Sequence, residues 1–179
     1  MKPIENLPNI ETPTGNISSV YPCTGWLTFG PWIYLVPQYK PKNVLILGYA
    51  GGTVAGLIRL FYGDVPITAV DTDDCSDFNY YDVDLVQADA REYVKTADKF
   101  DTVIVDVFDH ERSDRLCEFA TQAKFSQDVR KICNYLIING SVKDDLSVYD
   151  DLHLVRKLGF DDYRFYYYMV NRVSGLPLR

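Results

Sequence analysis

Apolar residues fall along this chain in short runs, separated by polar stretches that carry glycine or proline. Val44–Leu47 is one such run; it breaks at Gly48 and passes through Tyr49, Ala50, Gly51 and Gly52. Beyond that turn Val54, Leu57, Ile58 and Phe61 recur at helical spacing on one face. Strand, tight turn and helix are predicted in that order. A second apolar run, residues 67–70, ends on Asp71, about twenty residues past the glycine turn, which is the spacing of a nucleotide-binding βαβ unit. The expectation is a nucleoside cofactor.

The pattern continues toward the C-terminus. Residues 83–88 form a third strand candidate, and Asp89 stands where its carboxylate can cap a short helix over residues 88–97. Phe100–Val105, rich in aromatic and β-branched residues, is the fourth strand and ends on Asp106. After a polar loop, Val129, Ile132, Cys133 and Leu136 fall at helical spacing, with Ser126 as the expected cap. The fifth strand is placed over residues 137–143, interrupted at Asn139 and Gly140. Ser147 is expected to cap a helix with Val148, Leu152 and Val155 inward, stopped by Gly159. An aromatic strand over residues 163–170 closes the chain.

The N-terminal part reads differently. Residues 1–20 are rich in Pro, Asn, Thr and Ser and suggest an extended or poorly ordered arm. The aromatic runs 26–29 and 32–36 flank Gly30 and Pro31, which predicts a β-hairpin closed by Pro37 and Pro41. Its tryptophans, Trp26 and Trp32, would cap the main sheet or line a ligand pocket. Strands alternating with helices give an α/β fold: a Rossmann-like, mainly parallel sheet with helices on both faces over residues 43–179, preceded by the arm and hairpin of residues 1–42.

Composition narrows the function classes. At 179 residues and 47% hydrophobic content the chain can bury a core of its own. A net charge of −7 and a pI near 4.7 disfavour nucleic acid or an anionic membrane as partner, and no run reaches the length of a membrane span. Cys23, Cys75, Cys117 and Cys133 are widely spaced and form no CxxC pair, and only His110 and His153 accompany them. They read as reduced thiols of a cytoplasmic protein with no metal centre, acting on a small, cationic or neutral molecule.

In a parallel sheet the ligand lies outside the carboxyl ends of the strands, so the residues that terminate the strands are the informative ones. They are the glycine turn after the first strand, Asp71 and Asp73 after the second, Asp89 after the third, and Asp106 with Asp109 after the fourth. Any single acid here is an ordinary cap or turn residue; four consecutive strands ending in glycine, acid, acid and acid is not a packing pattern. A dinucleotide fingerprint would need glycines where Ala50 and Thr53 stand, so an NAD enzyme is the weaker alternative.

The order and spacing of these residues resemble the class I S-adenosylmethionine-dependent methyltransferase fold. The resemblance implies that Gly48, Tyr49, Ala50, Gly51 and Gly52 let the backbone approach the cofactor. It likewise implies that Asp71 holds the ribose hydroxyls, and that Asp89 with Ala90 meets the adenine. The segment FDTVIVDVFDH, together with VQADAREYV, is similar to the spermidine synthase branch, whose fourth strand ends in an Asp-x-x-Asp pair flanking the amine substrate. Here that pair is Asp106 and Asp109. The resemblance spans residues 44–143. It implies a transferase that uses S-adenosylmethionine or its decarboxylated form and moves a methyl or aminopropyl group to a small amine or other small nucleophile. Two features depart from the branch: Gly51 replaces an acid of the glycine loop, and fewer than 43 residues precede the first strand where the family has a larger β domain. Tyr21, Trp26 and Tyr34 are the aromatic substitutes available.

Chemically, an alkylammonium must lose a proton before it can attack, and a carboxylate within hydrogen-bond reach can take it. Asp106 is the expected base and Asp109 the expected holder of the amine's charge, the two carboxylates raising one another's proton affinity. The alternative reading is a methyltransferase-fold protein that has lost catalysis and serves as an assembly partner. Its aromatic terminal strand would then supply the contact surface, which also leaves association with a second copy open. A metal-dependent methyltransferase lacks a histidine cluster, and no GxSxG follows a strand to support a serine hydrolase.

Overall fold

The computed structural model describes residues 9–11, 17–19, 32, 35–79, 81–109, 115–141, 143–150, 158–160 and 163–169. Asn9–Glu11 (β1) and Ile17–Ser19 (β2) pair antiparallel as a small separate sheet. The segment expected to be an extended or poorly ordered arm therefore holds a hairpin. Its ladder is made by backbone groups alone, which leave no periodic trace in so polar a stretch.

Seven further strands form one sheet. They are Val44–Leu47 (β3), Ile67–Asp71 (β4), Asp84–Gln87 (β5), Phe100–Val105 (β6), Cys133–Ser141 (β7), Leu158–Phe160 (β8) and Tyr163–Met169 (β9), in the spatial order β5-β4-β3-β6-β7-β9-β8. The first five run parallel, and β9 is antiparallel to both of its neighbours. Helix Thr53–Tyr62 (α1) packs on one face, while Ala90–Thr96 (α2) and Ala123–Lys131 (α3) pack on the other. β3 is buried at all four positions because helices cover both its faces, which is why it reads as a continuous apolar run rather than an alternating one. The chain moves outward from β3 to β5 and then returns to the other side of β3 as β6. Strand order thus reverses between β3 and β6, and a crevice is expected at their carboxyl ends.

Several boundaries differ from the sequence expectation, each for a physical reason. Phe61 was expected inward on α1 but is 49% exposed. The last turn is held instead by Arg59, whose guanidinium donates to the carbonyls of Gly63, Val65, Tyr81 and Asp82. α3 ends at Lys131, so the spacing of Val129, Ile132, Cys133 and Leu136 straddles a helix and a strand. A strand buried on both faces is apolar throughout, and a short apolar run cannot be assigned by period alone. Ser126 does not cap α3; it is buried within the helix, where its hydroxyl accepts from Arg130 Nε at 3.1 Å. β7 is not interrupted at Asn139 and Gly140, because both are paired with β9, opposite Phe165 and Arg164. After it, Ser147–Tyr149 is a single 3₁₀ turn; residues 151–157, where the helix was expected to continue, lie outside the described residues. So does most of the expected hairpin over 26–36, including Trp26. Trp32 packs half-buried against the α1-side core next to fully buried Leu35, and neither lies in a strand.

Candidate functional site

The strand register brings the site together. Leu47 pairs with Val70 on one side and Val105 on the other, and Val105 pairs with Ile138. One residue further on, Asp71, Gly48, Asp106 and Asn139 therefore stand side by side across β4, β3, β6 and β7. Backbone bonds from Gly48 N to Val70 O and from Asp106 N to Leu47 O, both 2.8 Å, carry the ladder to this level. Two residues earlier in each strand, Ala69, Ile46, Ile104 and Ile137 belong to the α1-side core. By the period of two, the row of Asp71, Gly48, Asp106 and Asn139 belongs to that same face. An apolar row is thus followed at the carboxyl edge by acid, glycine, acid and amide.

Gly48 leaves a gap in the middle of this row. Its φ is +90°, and a Cβ there would lie 2.3 Å from the Asp106 carbonyl oxygen, so no other residue fits. Gly52, at φ +78°, is constrained in the same way, since a Cβ would come 2.5 Å from the Tyr49 hydroxyl, which itself donates to Phe78 O at 3.1 Å. Both glycines are required by the packing of the chain itself, not only by the approach of a ligand. Between them Ala50 adopts a left-handed φ of +47°, an uncommon conformation for a residue with a side chain. The turn is held in place by Asp71, whose Oδ2 accepts from Tyr49 N at 2.8 Å and Ala50 N at 3.0 Å, while Oδ1 accepts from Asp73 N at 3.1 Å. A carboxylate has about four acceptor sites. Asp71 is therefore first the anchor of the glycine turn, with one acceptor site left over.

Asp106 is in a different situation. Its Oδ1 accepts from Asn139 Nδ2 at 2.7 Å, and no described residue donates to its Oδ2. Burial pushes its pKa up to about 7, the negative charge of Asp71 adds to the rise, and the Asn139 hydrogen bond opposes it. Across the gap left by Gly48 stands Asp71, the acid whose charge adds to the rise at Asp106. Asp109 lies on a short antiparallel ladder in which Asp109 N donates to Arg115 O, Cys117 N donates to Val107 O, and Phe108 bridges Leu116. Its charge bears on the Cys117 thiol, as do those of Arg91 and Asp89, and burial of that thiol pushes its pKa up.

Asp89 caps α2 as expected, accepting from Arg91 N at 2.7 Å. The same carboxylate also pairs with the Arg91 guanidinium, whose side chain is 56% exposed, and that hydrogen bond holds the acid below the usual carboxylate range. Ala90, the first residue of α2, is buried. Tyr21, Trp26 and Tyr34 lie outside the described residues.

The residue that sequence reasoning missed is Asn139. It is 3% exposed, and its Oδ1 is buried with no hydrogen-bond partner. The signal is that a lone amide in the run YLIIN is buried and must find a polar partner; by local pattern alone it reads as a break in the strand. The row as a whole is rich in acceptors. Asp71 and Asp106 stand at the carboxyl end of the sheet without a cationic side chain among their described partners, an arrangement that suits a ligand carrying positive charge and hydrogen-bond donors.

No protein-family model matches the sequence, and no curated protein matches it. Solved structures do. Human methyltransferase-like protein 13, in complex with SAH, aligns with a TM-score of 0.59 at 16% identity, over 82% of this chain and 82% of its own. A spermidine synthase in complex with the transition state analogue AdoDATO aligns at 0.55 and 18%, over 76% of this chain and 56% of its own. The N-methyltransferase NodS from Bradyrhizobium japonicum WM9, in complex with S-adenosyl-L-homocysteine, aligns at 0.54 and 15%, over 72% and 78%. At such identities the likeness is one of architecture, and with the parallel sheet and its two helical layers it establishes that this chain has the class I S-adenosylmethionine-dependent methyltransferase fold.

Proposed function

We propose that the protein is a transferase that binds S-adenosylmethionine or its decarboxylated form and alkylates a small amine, in the manner of the spermidine synthase branch. The observation that carries this reading is the row at the carboxyl edge: two carboxylates flank a glycine gap, one of them held by an amide, with no cation among their described partners. The fold's solved relatives named above hold adenosyl ligands, and the residues here fit such a group. The turn of Gly48, Tyr49, Ala50, Gly51 and Gly52 is pre-organised by Asp71, which keeps one acceptor site for a ribose hydroxyl. Asp89 and Ala90 stand one strand further out, where the adenine would lie, with exposed Arg91 free to release the Asp89 carboxylate.

When bound, the cofactor supplies a carbon whose bond to a sulfonium breaks with its electron pair on sulfur. The chain's own part is proton transfer and charge. Asp106 takes the proton that an alkylammonium must lose, and its raised pKa suits that task near neutral pH. Asp71, across the gap, supplies the second negative charge that draws a cationic amine toward Asp106. A protein that served only as an assembly partner would have no use for a carboxylate held in this position with no cation among its described partners.

Calorimetric titration with S-adenosylmethionine, its decarboxylated form and methylthioadenosine tests the reading. Binding of the first identifies methyl transfer, and preference for the second identifies aminopropyl transfer. Binding of none of the three would sink the enzyme reading and leave the assembly reading in its place.

A further inference from the structure

The amide of Asn139 is buried on a strand held from both sides: its neighbour Ile138 pairs with Val105 of β6, and Asn139 itself pairs with Phe165 of β9. Its backbone cannot shift to improve a poor contact. Of its side chain's two hydrogen-bonding ends, only one is used, with Nδ2 donating to Asp106 Oδ1 at 2.7 Å while Oδ1 has no partner and no contact with solvent. A buried polar atom left unsatisfied destabilises the fold, and each such atom in a native structure needs a reason. Packing does not give one, because the positions beside it on β7, Ile137 and Ile138, are filled by aliphatic side chains. The bond to Asp106 is what the amide is kept for.

We infer that Asn139 is the positioning residue of Asp106, fixing one carboxylate oxygen so that the other alone is left to receive a proton, and setting how readily it does so. The inference rests on Asp106 being the proton acceptor proposed above. Among the described residues, few other groups can tune Asp106. Asp71 on β4 is the described charge that acts on Asp106, the position between them on β3 is Gly48, and α1 carries no charged residue before Arg59, whose guanidinium is spent on backbone carbonyls. Burial and Asp71 both favour the protonated acid, so the N–H of Asn139 is the described contact that holds Asp106 within reach of neutral pH. Without it the carboxyl would stay protonated in the working range and could accept nothing.

The test is a pH titration of the protein labelled with ¹³C at the aspartate carboxyls, with Asp106 assigned by its loss in Asp106→Asn, and run without any nucleoside. In the unsubstituted chain Asp106 should titrate near neutrality, and the side-chain amide signals of Asn139 should move with the same midpoint. In Asn139→Leu, which keeps the volume and removes the donor, the Asp106 midpoint should rise by at least about one unit, a tenfold change in proton affinity. A midpoint that does not move, or that falls, in a variant whose amide spectrum shows it folded would overturn the inference. If Asn139→Leu fails to fold, Asn139 amide signals that stay flat across the Asp106 titration in the unsubstituted chain would overturn it equally. Because no cofactor is present, failure here is distinguishable from failure of the calorimetric test, which concerns the adenosyl ligand alone.

Discussion

Asp106, half-buried at a strand end, and Asp128, buried on α3, are treated by the chain in opposite ways. Asp128, on α3, is 6% exposed and accepts from Lys124 at 2.5 Å and Lys131 at 2.8 Å; those hydrogen bonds hold it below the usual carboxylate range. Asp106 has one neutral amide, no cation among its described partners and an acid across the gap, and its pKa rises to about 7. Where an acid serves the fold, the helix supplies positive charge one turn away on either side. Asp106 shows what remains when that compensation is withheld at a strand end. A perturbed carboxylate at a strand end where the sheet order reverses, together with a compensated one elsewhere in the same chain, marks the first as the functional candidate.

The sharpest way to break this contrast is to neutralise each acid in turn. Asp106→Asn should leave calorimetric binding of the adenosyl ligand within about twofold and lower turnover by about 10²–10⁴, the usual contribution of a positioned base. Asp128→Asn should leave both unchanged. If turnover survives in Asp106→Asn, the compensated and uncompensated acids do not differ in function and the base lies elsewhere. Next in size is Asp71→Ala, which frees three backbone N–H groups and releases Ala50 from its left-handed conformation. Adenosyl binding should weaken by at least about tenfold, since each lost bond of a charged acceptor is worth about 1.5–3 kcal/mol. Equal affinity in this variant would show that the turn holds its shape without its anchor.

Much of this contrast was legible in the sequence, though not all of it. The central strands could be read because β3 and β6 are buried on both faces and so are continuous apolar runs, and the acids that end β4 and β6 stood out against them. What could not be read is lateral: which strand ends become neighbours depends on the sheet order, which no local pattern encodes. That is why Asp71, a strand pair away, could not be placed beside Asp106 from the sequence. Asn139 was lost for the same reason, because an amide inside an apolar run reads as an interruption until the acid beside it is known. The end of α3 was blurred by tertiary pairing, as Cys133 and Leu136 are apolar on account of β7 and not of the helix. The left-handed turn at Ala50 was read as a departure from a glycine pattern, but the compensating bonds from Asp71 were not visible.

The smaller effects concern stability, and here the two acids should have opposite signs. A folded pKa above the unfolded value means that the native state binds more protons between the two values, so Asp106 destabilises the fold progressively as pH rises from about 4 to about 7. Asp106→Asn removes that penalty. Its melting temperature should exceed that of the unsubstituted chain at pH 8, by an amount bounded at about 4 kcal/mol for a shift of this size, and the difference should shrink toward pH 4.5. Asp128 has a lowered folded pKa, so its contribution is present above the ordinary carboxylate range and is lost on acidification. Asp128→Asn should therefore lower the melting temperature at pH 8, and the deficit should close as pH falls through the carboxylate range. Smallest of all is the loss of one partner, Lys124→Met or Lys131→Met. Both lysine side chains are about 70% exposed, and exposed pairs contribute about 0.2–1 kcal/mol each. Either change alone should shift the midpoint by only a degree or two, and both together should move Asp128 toward the uncompensated state of Asp106. A double variant whose thermal unfolding loses no stability at pH 8 would mean that the lysines do not compensate Asp128, and that an acid can sit buried in this chain without a partner for no functional reason.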